Sequence, residues 1–314
     1  MKYRRLGRTG LRVSVVGVGT WQFGGEWGKE FTQPEVDGIM ERARELGINL
    51  IDTAECYGDH LSEALVGRAV RRERDHWVIA TKFGHRFIDH LQRENLWSPQ
   101  DVRLQLEDSL RALQVEQIDL YQFHSGGDEV FDNDALWTML DKQVDAGKIG
   151  HLGISISSGL DPAHQVSRAV EVGASTIQVV YNRLDCGPEE TAFPSCIEQD
   201  LGVLARITLA SGFLSGKYQP GARFTEESDL RSGCCPPRHE ATSTRPSPYT
   251  VTASQNPAMP PSRSQVKTDR SGSTPGTEVG STVYEGARTG VHVAPGTRVD
   301  IALGVPRSKA AAHP

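Results

Sequence analysis

Seven short apolar runs recur along residues 1–232: VVGVGTW (15–21), INLIDTA (48–54), WVIATKF (77–83), IDLYQFH (118–124), GHLGISI (150–156), STIQVVY (175–181) and VLARITLA (203–210). Each has the length and β-branched content of a buried strand. The segments between them carry helical spacing instead. In TQPEVDGIMERARELG (32–47), Thr32 and Glu35 form a capping box, Pro34 sits in the first turn and Gly47 marks the end. Val36, Ile39, Ala43 and Leu46 share one face of that helix. In SPQDVRLQLEDSLRAL (98–113), Ser98 is the N-cap, Pro99 opens the helix, and Val102, Leu106, Leu110 and Leu113 form the stripe.

Strand and helix alternating at this spacing mean parallel βαβ units. Seven strands in a chain of this length suit a (β/α)₈ TIM barrel better than an open sheet. A doubly wound dinucleotide fold predicts GxGxxG between the first strand and a helix, and GVGTWQFGGEWG (17–28) lacks that spacing.

The pattern breaks near Ser232. Residues 233–314 hold 11 of the 17 prolines, a single leucine (Leu303) and no Phe or Trp, so they lack the side chains of a packed core. Their charge is +4, against −10 for residues 1–232. The expected organisation is therefore a barrel domain over 1–232, with seven recognisable strands and an incomplete ring, followed by a disordered, low-complexity tail over 233–314. Too few apolar groups are present there to repay an ordering cost of about 1–2 kcal/mol per residue. A shift of reading frame in the underlying gene would account for the abrupt change, and divergence into a tail is the alternative.

Over the 314 residues the net charge is −6, which gives no support to a nucleic-acid partner. No apolar stretch of membrane-spanning length occurs, and the basic start MKYRRLGRTGLRVS has no apolar segment behind it. Among the five cysteines only Cys234 and Cys235 are close together, so neither a disulfide framework nor a zinc site is expected, and a cytoplasmic location fits.

In a barrel the site lies at the C-terminal ends of the strands. The second run ends at Asp52 with Tyr57 in the loop beyond; the third ends with Lys82 and the fourth with His124. Each residue alone is more often a cap, a solvated edge or a structural histidine. Together they make chemical sense. A phenol is a poor acid at neutral pH, and a neighbouring ammonium lowers its pKa. Asp52 can hold Lys82, Lys82 can tune Tyr57, and His124 can orient a carbonyl oxygen. A metal-dependent barrel hydrolase built on His60, His85 and His124 would want an HxH pair at a strand end, and none occurs.

The stretches RRLGRTGLRVSVVGVGTW, INLIDTAECYG, SEALVGRAV, ATKFG, IDLYQFH, GISIS, QVVYNRLD and GVLARITLASGFLSGKY cover about residues 1–232. In order and spacing they resemble the aldo-keto reductase superfamily. The resemblance implies a (β/α)₈ reductase that binds NADPH, or NADH, extended across the strand ends. It implies hydride transfer to a small-molecule aldehyde or ketone, with Tyr57 as proton donor and Asp52, Lys82 and His124 on the other catalytic positions. Ser155 and Gln178 match positions that contact the nicotinamide carboxamide. Thr20, Trp21 and Asp52 match the lining of the substrate and cofactor pocket. LASGFLSGK (209–217) matches the loop around the pyrophosphate, with Leu209, Ser211, Gly212, Gly216 and Lys217 as its contacts. Arg206 stands near the position where many members stack an aromatic ring on nicotinamide, and Ile156 where many have asparagine.

After residue 232 the resemblance fades. An eighth strand and the groups for the adenosine 2′-phosphate are expected there; VAPGTRVD (293–300) and GVPRSK (304–309) are faint echoes. Two other readings follow: an inactive truncated or frame-shifted reductase, and a cofactor-binding regulatory subunit. Retention of all four catalytic residue types favours the enzyme.

Overall fold

The computed structural model describes residues 1–218, 223–224 and 301–304. The chain opens with an antiparallel hairpin, β1 (Tyr3–Arg5) and β2 (Arg12–Ser14). Six strands of the ring follow: β3 (Val16–Gly19), β4 (Leu50–Asp52), β5 (Val78–Phe83), β8 (Ile118–His124), β9 (Ile149–Ser155) and β10 (Ala174–Val180). A second hairpin, β6 (His85–Asp89) and β7 (Gln92–Asn95), is inserted directly after β5. The last two strands of the ring are β11 (Gly202–Arg206) and β12 (Ile301–Gly304). The eight form a closed parallel barrel in chain order.

Between the strands run α1 (Gln33–Glu45), α2 (Leu61–Val70), α3 (Pro99–Leu113), α4 (Asp128–Phe131), α5 (Asp134–Asp145), α6 (Ala163–Ser167), α7 (Pro188–Thr191) and α8 (Phe193–Glu198). The first and third show why the sequence stops and starts where it does. The Thr32 backbone N–H donates to Glu35 Oε2 at 2.9 Å, and Gly47 takes a left-handed φ of +76° to end α1. Ser98 Oγ accepts from the Asp101 N–H at 3.1 Å at the start of α3. The stripe on α3 is buried as its spacing predicts. On α1 Val36 and Ala43 are buried as expected, with Met40 beside them and Ile39 half-buried against the same core; Leu46 lies past the helix end and is exposed.

The bottom of the barrel is plugged by the N-terminal hairpin. Leu6 and Val13 pack with Leu50, Ala80, Leu120 and Leu204, one small core under the strand starts. Gly7 lets the backbone approach closely there: a Cβ would lie 2.0 Å from the Gly202 nitrogen. The strand ends at the opposite face are left for chemistry.

The eighth strand corrects one expectation. Ile301–Gly304 pairs with β11 (Val203↔Ile301) and with β3 (Leu303↔Val16), so the ring closes where an unclosed barrel was expected. Weighing apolar area over all of 233–314 missed that closure needs only a four-residue backbone ladder. The facing edges of β3 and β11 each offer an unpaired row of N–H and C=O groups to receive one. The tail's expected disorder between 233 and 300 lies outside the described residues. Among the described residues no helix is long and apolar enough to cross a membrane.

Candidate active site

The strand register sets the site. Gly19 and Asp52, the last residues of β3 and β4, lie side by side with Ala80 in the middle of β5, and Lys82 extends two residues further along β5. Lys82 is a lysine with 1% of its side chain exposed, so its charge must be met inside the protein. Its ammonium has three N–H groups and three partners: Asp52 Oδ1 at 3.0 Å, the Thr53 carbonyl at 2.6 Å and the Tyr57 hydroxyl at 3.3 Å. Burial works against this charge, but Asp52 and Tyr57 outweigh it and hold the pKa above the ordinary lysine value. Asp52 Oδ1 also accepts from Gln178 Nε2 at 2.9 Å and Gln122 Nε2 at 3.3 Å. Asp52 is thus an anchor, and Lys82 presents a fixed cation to the phenol.

Tyr57 is aimed by a close backbone contact. Gly58 has φ +67°, and a Cβ on it would lie 2.4 Å from the Gly24 carbonyl oxygen; a Cβ on Gly24 would in turn meet the Tyr57 carbonyl carbon at 2.6 Å. Only two glycines let the loop after β3 and the loop after β4 touch in this way. The contact brings Trp21 over Tyr57, with rings stacked at 6.0 Å and 23°. Burial pushes the Tyr57 pKa up to about 12; Lys82 opposes the rise and Asp52 adds to it. The sequence reading had only the lysine's effect. The ammonium does lower the pKa, as expected, but burial outweighs it, so the phenol keeps its proton throughout the neutral range.

His124 ends β8, with its ring edge-on to Tyr57 at 6.3 Å. Burial drives its pKa well below the ordinary value, and Lys82, His85, Arg206 and Arg93 add to the fall, so the imidazole is neutral. Its Nδ1 sits 3.9 Å from Cys56 Sγ and 4.0 Å from Glu55 Oε1, leaving Nε2 for a bound oxygen. Glu55, Cys56 and His124 bring ligand-type atoms within 4.8 Å of one another, the one such group among the described residues. Lys82 and Arg93 act on the same spot and work against a cation there. His60 is paired elsewhere, to Glu63 at 2.5 Å.

Glu55 is buried. One oxygen accepts the His85 N–H at 3.0 Å and the other has no partner. Burial, followed by repulsion from Glu63, pushes its pKa from 4.5 up to about 7. A raised carboxyl pKa means the folded state holds the proton more tightly than the unfolded chain. The stability this gives is complete below pH 4.5 and is lost as pH rises to about 7. Glu55→Gln should therefore melt several degrees higher than the parent at mildly alkaline pH and no higher at pH 4.5, as thermal unfolding followed by circular dichroism at the two pH values would show. Equal gains at both values would refute the assignment.

The expected cofactor contacts fall into two groups. At the strand ends, Ser155 Oγ donates to Gln178 Oε1 at 3.0 Å, beside Asp52. Gln122 Oε1, buried next to them, has no partner. A small set of neutral amide and hydroxyl groups in this arrangement complements a carboxamide. Arg206 Nη2 donates to the Ile156 carbonyl at 2.9 Å and to Ser158 Oγ at 3.1 Å, which ties the end of β11 to the segment after β9. Thr20 is buried and gives its hydroxyl to the Asp52 carbonyl at 3.1 Å. Beyond β11 the backbone turns repeatedly: Ile207, Ala210, Ser211, Gly212 and Gly216 all have positive φ. Such a sequence of turns is how backbone amides are brought to one concave side for an anion. A Cβ on Gly216 would meet nothing within 4 Å, and Leu209 is exposed. Lys217 Nζ stands 5.5 Å over the Tyr218 ring. The residues present therefore fit a nicotinamide dinucleotide.

Some residues at the site escaped the sequence reading. Gln122 lies two positions before His124, and the period of two along β8 puts both on the same side of the strand; that signal was available. Glu26 and Arg93 had none, because they meet across 67 positions. Glu26 Oε2 accepts from Trp21 Nε1 at 3.1 Å, and Arg93 Nη2 donates to both Glu26 oxygens, at 2.6 and 2.5 Å.

A family model described as the aldo/keto reductase family matches residues 15–257, so the match runs past Ser232. The chain is 32% identical over 240 residues to the aldo-keto reductase YhdN of Bacillus subtilis, covering 74% of this chain and 69% of that one. It is also 32% identical over 246 residues to the uncharacterised oxidoreductase YrpG of the same organism, covering 73% and 74%. Among solved structures it resembles the holo form of the aldo-keto reductase AKR11C1 from Bacillus halodurans, with TM-score 0.64, 32% identity and 72% of each chain covered. The glycerol dehydrogenase AKR11B4 from Gluconobacter oxydans gives TM-score 0.62 at 34% identity, with 71% of this chain and 68% of that one covered. A closed parallel barrel, a polar cluster at its strand ends and relatives that span most of the described chain lead to one conclusion: this chain belongs to the aldo/keto reductase family of NAD(P)-dependent oxidoreductases.

Proposed function

We propose that this chain reduces an aldehyde or ketone to the alcohol, with Tyr57 as the proton donor and NADPH as the donor of choice, NADH being accepted. The observation that carries the reading is the buried Lys82 ammonium held between Asp52 at 3.0 Å and the Tyr57 hydroxyl at 3.3 Å. When bound, the nicotinamide supplies the hydride that adds to the carbonyl carbon. Tyr57 gives its proton to the carbonyl oxygen, and Lys82 stabilises the phenolate left behind. His124, neutral, orients that oxygen by a hydrogen bond from Nε2. Asp52 keeps Lys82 in place. Ser155 and Gln178 would hold the carboxamide, and the turns over 207–217 with Lys217 would hold the pyrophosphate. Aldo-keto reductases generally use NAD(P)H, which supports the cofactor class.

Titration with NADPH and then NADH tests this. Each should quench tryptophan fluorescence, because Trp21 stacks on Tyr57 at the mouth of the site. An aldehyde added to the NADPH complex should consume the reduced cofactor. Tight binding with no turnover over a broad set of carbonyls would favour the regulatory-subunit reading. Absence of binding would favour the inactive one.

A further inference from the structure

The hairpin β6–β7 stands beside the site, and one buried ion pair fastens it. Glu26, 2% exposed, lies in the loop after β3, and Arg93 is on β7. Besides Arg93, the Glu26 carboxylate accepts from the Leu91 N–H at 3.0 Å and from Trp21 Nε1, so both oxygens are fully engaged. Burying such a pair costs desolvation and by itself is weak evidence of stabilisation. Its place points to another use. Trp21, which gives its Nε1–H to Glu26 at 3.1 Å, stacks on Tyr57, and the His85 ring on the same hairpin lies 5.0 Å from the His124 ring. The cations that act on His124 are therefore occupied: Lys82 by Asp52, Arg206 by Ile156 and Ser158, and Arg93 by Glu26.

We propose that Glu26 is a specificity-determining residue. It neutralises Arg93 next to Trp21, the ring that stacks on Tyr57, and so directs the site to uncharged carbonyl compounds and away from those carrying a carboxylate. This rests on reduction taking place at Tyr57. Arg93 Nη1 donates to the Asp89 and Gln92 carbonyls, so without Glu26 it is the Nη2 side of the guanidinium that is released to donate to a substrate carboxylate. With Glu26 in place, an anionic substrate meets a cation already paired and a carboxylate that repels it.

The test compares para-nitrobenzaldehyde with para-carboxybenzaldehyde, similar in shape and different in charge, using the full chain and NADPH. Glu26→Gln keeps the shape and removes the charge. The ratio of kcat/KM for the carboxylated over the nitro substrate should rise by about tenfold or more, on the scale of one desolvated charge pair. Adding Arg93→Met should abolish the gain. An unchanged ratio in Glu26→Gln, or a gain that survives Arg93→Met, overturns the proposal. A second arm needs no turnover and does not depend on Glu26→Gln folding. Binding of benzoate and of benzamide to the parent protein is followed by tryptophan fluorescence. Benzamide should bind at least as tightly as benzoate. Tighter benzoate binding that is lost in Arg93→Met would show Arg93 already free for anions, and would also overturn the proposal. Failure of any aldehyde to react, with this binding order intact, would instead count against the reductase reading.

Discussion

Tyr57→Phe should lower the turnover of carbonyl reduction by at least about 10²-fold, the lower end of what a positioned general acid contributes. The change removes one oxygen. It leaves the ring that stacks on Trp21 and the backbone contact between Gly58 and Gly24. Nothing that would hold the nicotinamide carboxamide is touched, since Ser155 and Gln178 bond each other and Asp52. The dissociation constant for NADPH, read from fluorescence quenching, should therefore stay within about twofold while kcat collapses. That combination identifies a group needed for the chemical step and not for cofactor binding. Near-normal turnover in the variant would remove Tyr57 from the mechanism. Loss of cofactor affinity in step with turnover would mean that the phenol's role is structural.

The strand ends were legible because a barrel imposes a simple rule: inward positions alternate, and the carboxyl ends carry whatever polar groups the chemistry needs. Asp52 and His124 are the last residues of β4 and β8, and Lys82 stands one residue before the end of β5, so a polar residue at or next to each strand end was visible in the sequence. Helix limits were legible where a cap has a fixed partner, as with Thr32 and Glu35 or Ser98 and Asp101. What stayed hidden depends on contacts across the chain. The hairpin β6–β7 has little apolar alternation, and its role comes from Arg93 meeting a carboxylate on another loop. The acidity of Tyr57 was half legible. The sequence suggests a nearby charge, but the larger effect is burial, which only packing sets. The eighth strand was missed for a related reason. Four residues from Ile301 have no pattern of their own, and pairing with β3 and β11 is what makes them a strand.

Lys82→Met carries the second large effect, and its sign is less obvious. The ammonium lowers the pKa of Tyr57 against burial, so its removal raises that pKa further above about 12. The phenol then stays protonated over the whole usable range but becomes a weaker acid, and the phenolate formed in the reaction loses its counter-charge. Turnover should fall by at least about 10²-fold and should not recover at higher pH, because protonation of Tyr57 was never limiting. The substitution also leaves Asp52, three-quarters buried on its side chain, with only the amides of Gln122 and Gln178 as partners. Loss of one member of a buried pair is destabilising, so the single variant should melt lower than the parent. A double variant, Lys82→Met with Asp52→Asn, separates the two effects. Both charges are gone, the two glutamine amides keep a carbonyl oxygen as acceptor, and the melting temperature should return most of the way. Activity should not return with it. If turnover recovers together with stability, Lys82 and Asp52 act only as scaffolding; if the double variant is stable and inactive, the ammonium itself is part of the reaction.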